Sequence, residues 1–366
     1  YYLVQQRDGL KGDAFRTIAR VDKPEYTYTA TDDAIHSFRI IAGNDGGVSF
    51  PSEVLAMRHA EGTPVVIVNG FTRICAPDWF DSGEIAGFYD ARDHGVPYVQ
   101  DISFIGSQFE FRRDIPWMDD DAAGFGASRA NYEDRVVAGN TFDFVAVHGE
   151  AIAAAGRGFV SESVESFCSA PVLAGSTVDL ILGKQKETAK GRGVYGTRYK
   201  AFPDALQQAL RAHTAAGGDV LVSGACVATD IWDNPFSSKE VAEADKRFAT
   251  EVLGYQWRVG QATVESGVYG VPTPFKAFTG GEWFFNNQLS EDCYAVESPD
   301  SFFAPDKEHG CTLMRYSENN LVAAIAFAPG KYRTVVLGFP FETVRGVHSR
   351  ASMMRQVLDF FNSDNK

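Results

Sequence analysis

A chain of 366 residues exceeds one ordinary domain, and its 45% hydrophobic and 22% charged residues suffice to enclose a sizeable core. The formal net charge of -14 disfavours nucleic acid as a partner, because phosphate binding needs clustered Lys and Arg. It also disfavours plain electrostatic docking on anionic lipid, and the longest clean apolar run, Leu321 to Pro329, falls short of the ~20 residues of a membrane span.

Tyr1 to Gly9 has neither the basic start nor the apolar stretch of a signal peptide. The chain opens without Met and reads as a piece of a longer protein. Tyr1 to Gln6 and F-R-T-I-A-R-V are strand-like, with R-D-G-L-K-G-D as the turn between them. After another turn region comes His36-x-Phe38-Arg39-Ile40-x-Ala42-x-Asn44-x-x-Gly47-x-Ser49, then Pro51-Ser52-Glu53. This pattern resembles the last two strands of a fibronectin type III domain, with His36 where that family usually has Tyr. The family's first strands and their Trp are missing. Residues 1–58 are therefore expected to form a partial β-sandwich that leans on the following domain, unless its other strands lie outside this chain.

Beyond a polar linker, Met57 to Pro64, residues 64–366 are expected to form an α/β domain. P-V-V-I-V-N-G-F, F-D-F-V-A-V-H-G, V-D-L-I-L-G and D-V-L-V-S-G read as strands covered on both faces. Leu206 and Leu210 lie one helical turn apart ahead of a Gly pair. A second helix runs through S-S-K-E-V-A-E-A-D-K-R-F-A-T-E-V-L-G, with Ser at its start and Gly at its end. Such alternation predicts a mostly parallel sheet with flanking helices and ligand sites at the carboxyl ends of its strands. A hairpin is expected around Pro329-Gly330-Lys331, and a final helix over Ser349 to Phe361 with Met353, Val357 and Phe360 on one face. Asp90 to Asn140 is the least regular stretch, and long irregular segments are often functional.

Cys226 holds most of the chemical interest. Gly224-Ala225-Cys226-Val227-Ala228 approximates a nucleophile elbow, in which small neighbours permit a sharp strand-to-helix turn. A helix start beyond it would lower the thiol pKa and supply oxyanion donors. The alternative is a small buried residue in a packing turn. The region resembles class I glutamine amidotransferase-like domains, whose nucleophilic Cys occupies such a turn. A late F-H-P-E motif supplies the His and Glu of that family's triad. Gly338-Phe339-Pro340-Phe341-Glu342 matches it, with Glu342 fitting the acid and Pro340 standing where the His belongs. Proline transfers no proton, so a live site would need His148 or His348 as base.

His148-Gly149-Glu150 is expected to close an apolar strand, either as a site residue or as a hydrogen-bonded histidine at the sheet rim. Asp119, Asp120 and Asp121, beside a Gly-rich loop, could offer oxygen ligands to Ca²⁺ or Mg²⁺, but the spacing is not that of an EF-hand, and an acidic capping turn is the alternative. Trp283-Phe284-Phe285 and the stretch from Trp232 to Phe236 could stack on sugars, although most of the 28 Phe must be core. No glycine-rich phosphate motif follows a strand, so no nucleotide and no other cofactor is expected. The five cysteines, Cys75, Cys168, Cys226, Cys293 and Cys311, form no C-x-x-C pair; a Cys293–Cys311 bridge is possible by spacing.

D-D-D-A-A-G-F-G-A-S, V-H-G-E-A-I, V-D-L-I-L-G-K-Q and G-F-P-F-E-T together resemble a secreted Bacteroidota family often labelled xanthan lyase or N-acetylmuramoyl-alanine amidase. The resemblance covers most of Pro64 to Asn362. It implies a periplasmic or extracellular setting, glycan or cell-envelope material as partner, and a labelled activity seated in other domains of a longer chain. Three functions are thereby expected in competition: a non-catalytic amidotransferase-like module, a Cys226 hydrolase, and a glycan-binding module.

Overall fold

The computed structural model describes residues 1–9, 15–49, 51–71, 79–81, 84, 86–88, 143–169, 175–185, 200–234, 237–288, 293–296 and 298–362. Asp119, Asp120, Asp121 and the rest of the irregular stretch from Asp90 to Asn140 lie outside the described residues, as does Cys75.

The chain begins with β1 (Tyr2–Asp8), β2 (Arg16–Val21), β3 (His36–Asn44), β4 (Gly47–Val48) and β5 (Leu55–Met57). They form one antiparallel sheet in the order β2-β1-β3-β4, with β5 also on β3. Strands lie where the sequence placed them, in a single sheet, and that sheet contacts the chain beyond it. Arg58, just past β5, exchanges both backbone hydrogen bonds with Phe159, at 2.9 and 3.0 Å. The Arg7 guanidinium reaches Asp143 at 2.7 Å, with both side chains more than nine-tenths buried.

The remaining elements come in chain order. They are β6 (Val65–Asn69), β7 (Trp79–Asp81), β8 (Ala86–Phe88), α1 (Phe144–Ala154), β9 (Phe159–Ser163) and α2 (Val164–Ser169). Next are β10 (Thr177–Gly183), α3 (Asp204–Ala215), β11 (Asp219–Gly224), α4 (Thr229–Trp232) and α5 (Lys239–Phe248). The last third holds β12 (Gln256–Val259), β13 (Gly267–Gly270), β14 (Glu282–Phe284), β15 (Ser301–Phe303) and β16 (Gly310–Tyr316). The chain ends on β17 (Val322–Phe327), β18 (Thr334–Leu337) and α6 (Val347–Asn362).

Nine strands make the central sheet, in the order β14-β13-β16-β17-β18-β11-β10-β6-β9. Strands β9, β6, β10, β11 and β18 run parallel. From β18 outward, β17, β16, β13 and β14 pair antiparallel, so the sheet is mixed rather than mostly parallel. The physical reason lies in the connections. The parallel strands are joined by long crossovers, whereas β17 and β18 are joined by the tight Pro329-Gly330 turn, which reverses the chain. One face of the sheet packs Ile67, Ile181 and Leu221 against α1 and α6. The other packs Val68, Leu180 and Val222 against α3, α5 and α2.

Helix boundaries mostly obey the local signals. Ser238 accepts the Val241 N–H at 3.3 Å, and the stretch after α5 ends on Gly254 at φ 79°. Leu206 and Leu210 are buried on α3, and Met353, Val357 and Phe360 on α6.

F-D-F-V-A-V-H-G is a correction. Its described residues lead into helix α1, not a strand. The helix is buried on most sides, between the N-terminal sheet, the central sheet and α6. Its apolar run therefore shows no stripe, and a run without a stripe reads equally as a covered strand. Gly149 marks the tightest contact, since a Cβ there would lie 2.1 Å from Phe159 Cζ. Helix propensity alone would favour Ala by ~1 kcal/mol, but overpacking a buried ring costs ~1–3 kcal/mol. Gly149→Ala is expected to lower the urea midpoint, and an unchanged or higher midpoint would show that Phe159 can yield.

Candidate functional site

Lys184, Cys226 and Glu342 follow the carboxyl ends of the neighbouring strands β10, β11 and β18. Strand β11 ends on Gly224, where the chain turns sharply before the single turn of α4. A Cβ on Gly224 would sit 2.9 Å from Val227 and 3.0 Å from Leu182, so the bend closes only around glycine. The elbow shape expected from the sequence is therefore present. Cys226 itself is 9% exposed and belongs to the apolar cluster that includes Phe71, Phe144 and Phe341.

His148 lies on α1 rather than at the end of a strand, fully buried on the same side of the sheet as Cys226. Its Nδ1 faces Asp179 Oδ2 at 2.8 Å, and its Nε2 faces Glu342 Oε2 at 3.3 Å. The Tyr294 hydroxyl donates to the other Glu342 oxygen at 2.6 Å. Burial pulls the imidazole toward its neutral form, but Asp179 and Glu342 outweigh it and hold the pKa up at about 9. His148 is thus an imidazolium donating from both nitrogens, with no lone pair to take a thiol proton. Nearby, Lys184 is buried and donates to the Ala295 carbonyl at 2.8 Å, its ammonium 5.7 Å from the Tyr294 ring centre.

The structure joins two predicted site residues, His148 and Glu342, by one buried contact. Glu342 sits in a 3-10 turn, Phe341–Thr343, begun by Pro340. It points into the core, where an acid without His148 and Tyr294 would be a buried unpaired charge. His348 is exposed in the first turn of α6. Of the other described histidines, His213 bonds the Asp219 carbonyl at the opposite end of β11. His36 bonds Asp32 at 2.9 Å in the N-terminal sheet, and His309 bonds Asp306 at 2.8 Å in a turn.

Sequence reasoning missed Asp179, Tyr294 and Asp300. Asp179 had a visible signal, since it is the one charge inside the apolar run V-D-L-I-L-G and is 1% exposed. Asp300 had none. It is fully buried, and its Oδ2 accepts the N–H groups of Ala228 at 2.6 Å and Thr229 at 2.8 Å. Its Oδ1 accepts the Thr229 hydroxyl, which also accepts the Trp257 indole N–H at 3.2 Å.

Two further expectations change. Cys293 and Cys311 are thiols, not a disulfide, and burial pushes the Cys311 thiol up to about 11. Of Trp283-Phe284-Phe285, only Phe284 is exposed; Trp283 and Phe285 are core residues. Trp232 is half-buried against Tyr255. The described rings of the two aromatic clusters thus present no flat platform to solvent. Among the described residues no group of His, Cys, Asp and Glu could hold a metal, and no helix is long and apolar enough to cross a membrane.

Fold and site together define an α/β protein built on a large mixed sheet, with a cysteine-bearing turn at the carboxyl end of the interior strand β11. No family model matches the chain, and no curated protein matches it. Two solved structures share a slight likeness. One is an exo-beta-1,4-mannosidase, Op5Man5, from Opitutaceae bacterium strain TAV5, at 8% identity and TM-score 0.34, covering 61% of this chain and 31% of that one. The other is a polyextremophilic beta-galactosidase from the Antarctic haloarchaeon Halorubrum lacusprofundi, at 17% identity and TM-score 0.35, covering 61% and 27%. The chain spans less than a third of the length of either structure. Likenesses this slight say nothing of its activity.

Proposed function

We propose that the chain is a non-catalytic, amidotransferase-like module of a secreted protein that acts on envelope or polysaccharide material. The supporting observation is His148: both of its ring nitrogens face buried carboxylates within hydrogen-bond distance, at 2.8 and 3.3 Å, and so are engaged away from Cys226. Pro340 occupies the place where the resembled family keeps its histidine, and Glu342, the matching acid, is committed to His148 and Tyr294. A thiol with no basic histidine to take its proton stays a weak nucleophile at neutral pH. The parallel strands, the turn after β11 and the late Glu342 motif support the class I glutamine amidotransferase-like fold. The resemblance to the labelled secreted family supports the wider setting.

The test is site-resolved alkylation of the intact chain with iodoacetamide at pH 7, following the Cys226 peptide by mass spectrometry. Cys226 is expected to label far more slowly than the half-exposed Cys168. Rapid labelling of Cys226, together with amide or ester hydrolysis lost in Cys226→Ser, would replace this reading with the hydrolase.

A further inference from the structure

Five buried side-chain atoms find no hydrogen-bond partner among the described residues: Arg7 Nε, Asp179 Oδ1, Ser223 Oγ, Ser301 Oγ and Arg350 Nε. Buried polar groups are rarely left so, because each has given up its hydration without return. Two of the five belong together. Asp179 lies on β10 and Ser223 on β11, and these strands pair in parallel, with Asp179 beside Leu221 and Ile181 beside Ser223. Asp179 alternates with Val178 and Leu180, and Ser223 follows Val222; all three apolar residues pack on the face covered by α3 and α5. Both polar side chains therefore belong to the opposite face, where α1 and α6 lie and where Asp179 meets His148. Arg7, Ser301 and Arg350 lie on other elements, β1, β15 and α6.

Diagonal neighbours on one face of a sheet are roughly 7–8 Å apart at the backbone. A carboxylate and a hydroxyl at that separation do not bond each other directly, and the interval between them suits one small bridging molecule. It must be small, because Asp179 and Ser223 are 1% and 0% exposed and the residues beside them, Ile181 and Leu221, are buried and apolar. It must also offer a hydrogen bond to a carboxylate oxygen and to a hydroxyl at once, as water does. A metal cation fits poorly. Asp179 already faces the His148 imidazolium with its other oxygen, at 2.8 Å, and the remaining ligand would be a neutral hydroxyl.

We propose that β10 and β11 hold an internal water between Asp179 Oδ1 and Ser223 Oγ, donating to the carboxylate and bonded to the hydroxyl on its other side. Such waters typically make about two to four bonds to otherwise unpaired buried groups and are costly to remove. The polar chain then runs from Ser223 through the water to Asp179, His148, Glu342 and Tyr294. It links β11, the strand that leads into the Cys226 turn, to α1 and to the 3-10 turn of Glu342. A hydrogen bond from the water also favours the charged form of Asp179, the form that pairs with His148. The site does not depend on whether Cys226 reacts.

A high-resolution crystal structure of the intact chain tests the site directly. A single peak about 2.7–3.0 Å from both Asp179 Oδ1 and Ser223 Oγ is expected. Contacts of about 2.0–2.6 Å to the carboxylate would put a metal cation in place of the water and overturn the proposal. A direct Asp179–Ser223 bond, or no density between the two, would overturn it as well. Ser223→Ala is the counterpart in solution, because the alternatives carry opposite signs. If the hydroxyl holds a water, its removal costs a hydrogen bond, and the urea midpoint at neutral pH is expected to fall. If the hydroxyl is orphaned, its removal relieves a desolvated group, and the midpoint stays or rises. An unchanged or higher midpoint would therefore overturn the water, whatever Cys226 does.

Discussion

Replacing His148 by alanine is expected to destabilise the protein by about 3–5 kcal/mol, the usual cost of removing one partner from a buried charge pair. The variant leaves Asp179 and Glu342, each nearly solvent-free, without the cation between them. Four parts of the chain lose a common anchor: α1, β10, the 3-10 turn of Glu342 and the segment of Tyr294. The loss depends on pH with a definite sign. The folded imidazole titrates at about 9, above its ordinary 6.5. Its contribution is therefore fully present below about pH 6.5 and is lost as pH rises through about 9. Urea midpoints of wild type and His148→Ala should differ widely at about pH 6 and converge towards about pH 10. A gap of the same size at both pH values would mean that packing against Phe341, 4.7 Å from the imidazole ring centre, matters more than charge. Glu342→Gln separates the two further, because it keeps the shape and removes one carboxylate.

Arg7→Ala is expected to cost a similar ~3–5 kcal/mol and to loosen helix α1 at its start. The bidentate pair at 2.7 and 3.2 Å ties the first strand of the chain to Asp143, the residue that precedes α1. Asp143, 5% exposed in the intact protein, would lose its cation. Replacing both residues by Met and Leu should recover much of the loss, since an apolar pair avoids the desolvation that the ion pair incurs. Amide exchange in α1 would report the effect locally. If Arg7→Ala and Asp143→Ala each change stability by less than about 0.5 kcal/mol, the small sheet is a loosely attached neighbour rather than part of the domain.

These two networks show which level of organisation each residue belongs to. Strands β1, β2, β3, β6, β10, β11, β17 and β18 and helices α3, α5 and α6 could be read directly, because alternation, apolar runs and Ser or Gly at helix ends are local signals. Cys226 at a strand-to-turn junction and the hairpin at Pro329-Gly330 came from the same signals. Helix α1 did not, because a helix covered on most sides loses the stripe by which helices are recognised. The antiparallel half of the sheet was also hidden, since strand direction depends on which neighbours each strand finds.

By itself the sequence determined the α/β texture, the elbow around Gly224 and Cys226, and the absence of histidine at Pro340. Only the tertiary structure decided what those features mean. Asp179 and Glu342 lie 31 and 194 residues from His148 along the chain, and Asp300 lies 72 residues from Ala228. Whether a histidine is a base or a buried cation depends on the partners of its two nitrogens. Whether a buried carboxylate is satisfied depends on what lies beside it on the next strand. Both are through-space properties, set by burial and distance, which one-dimensional spacing does not encode.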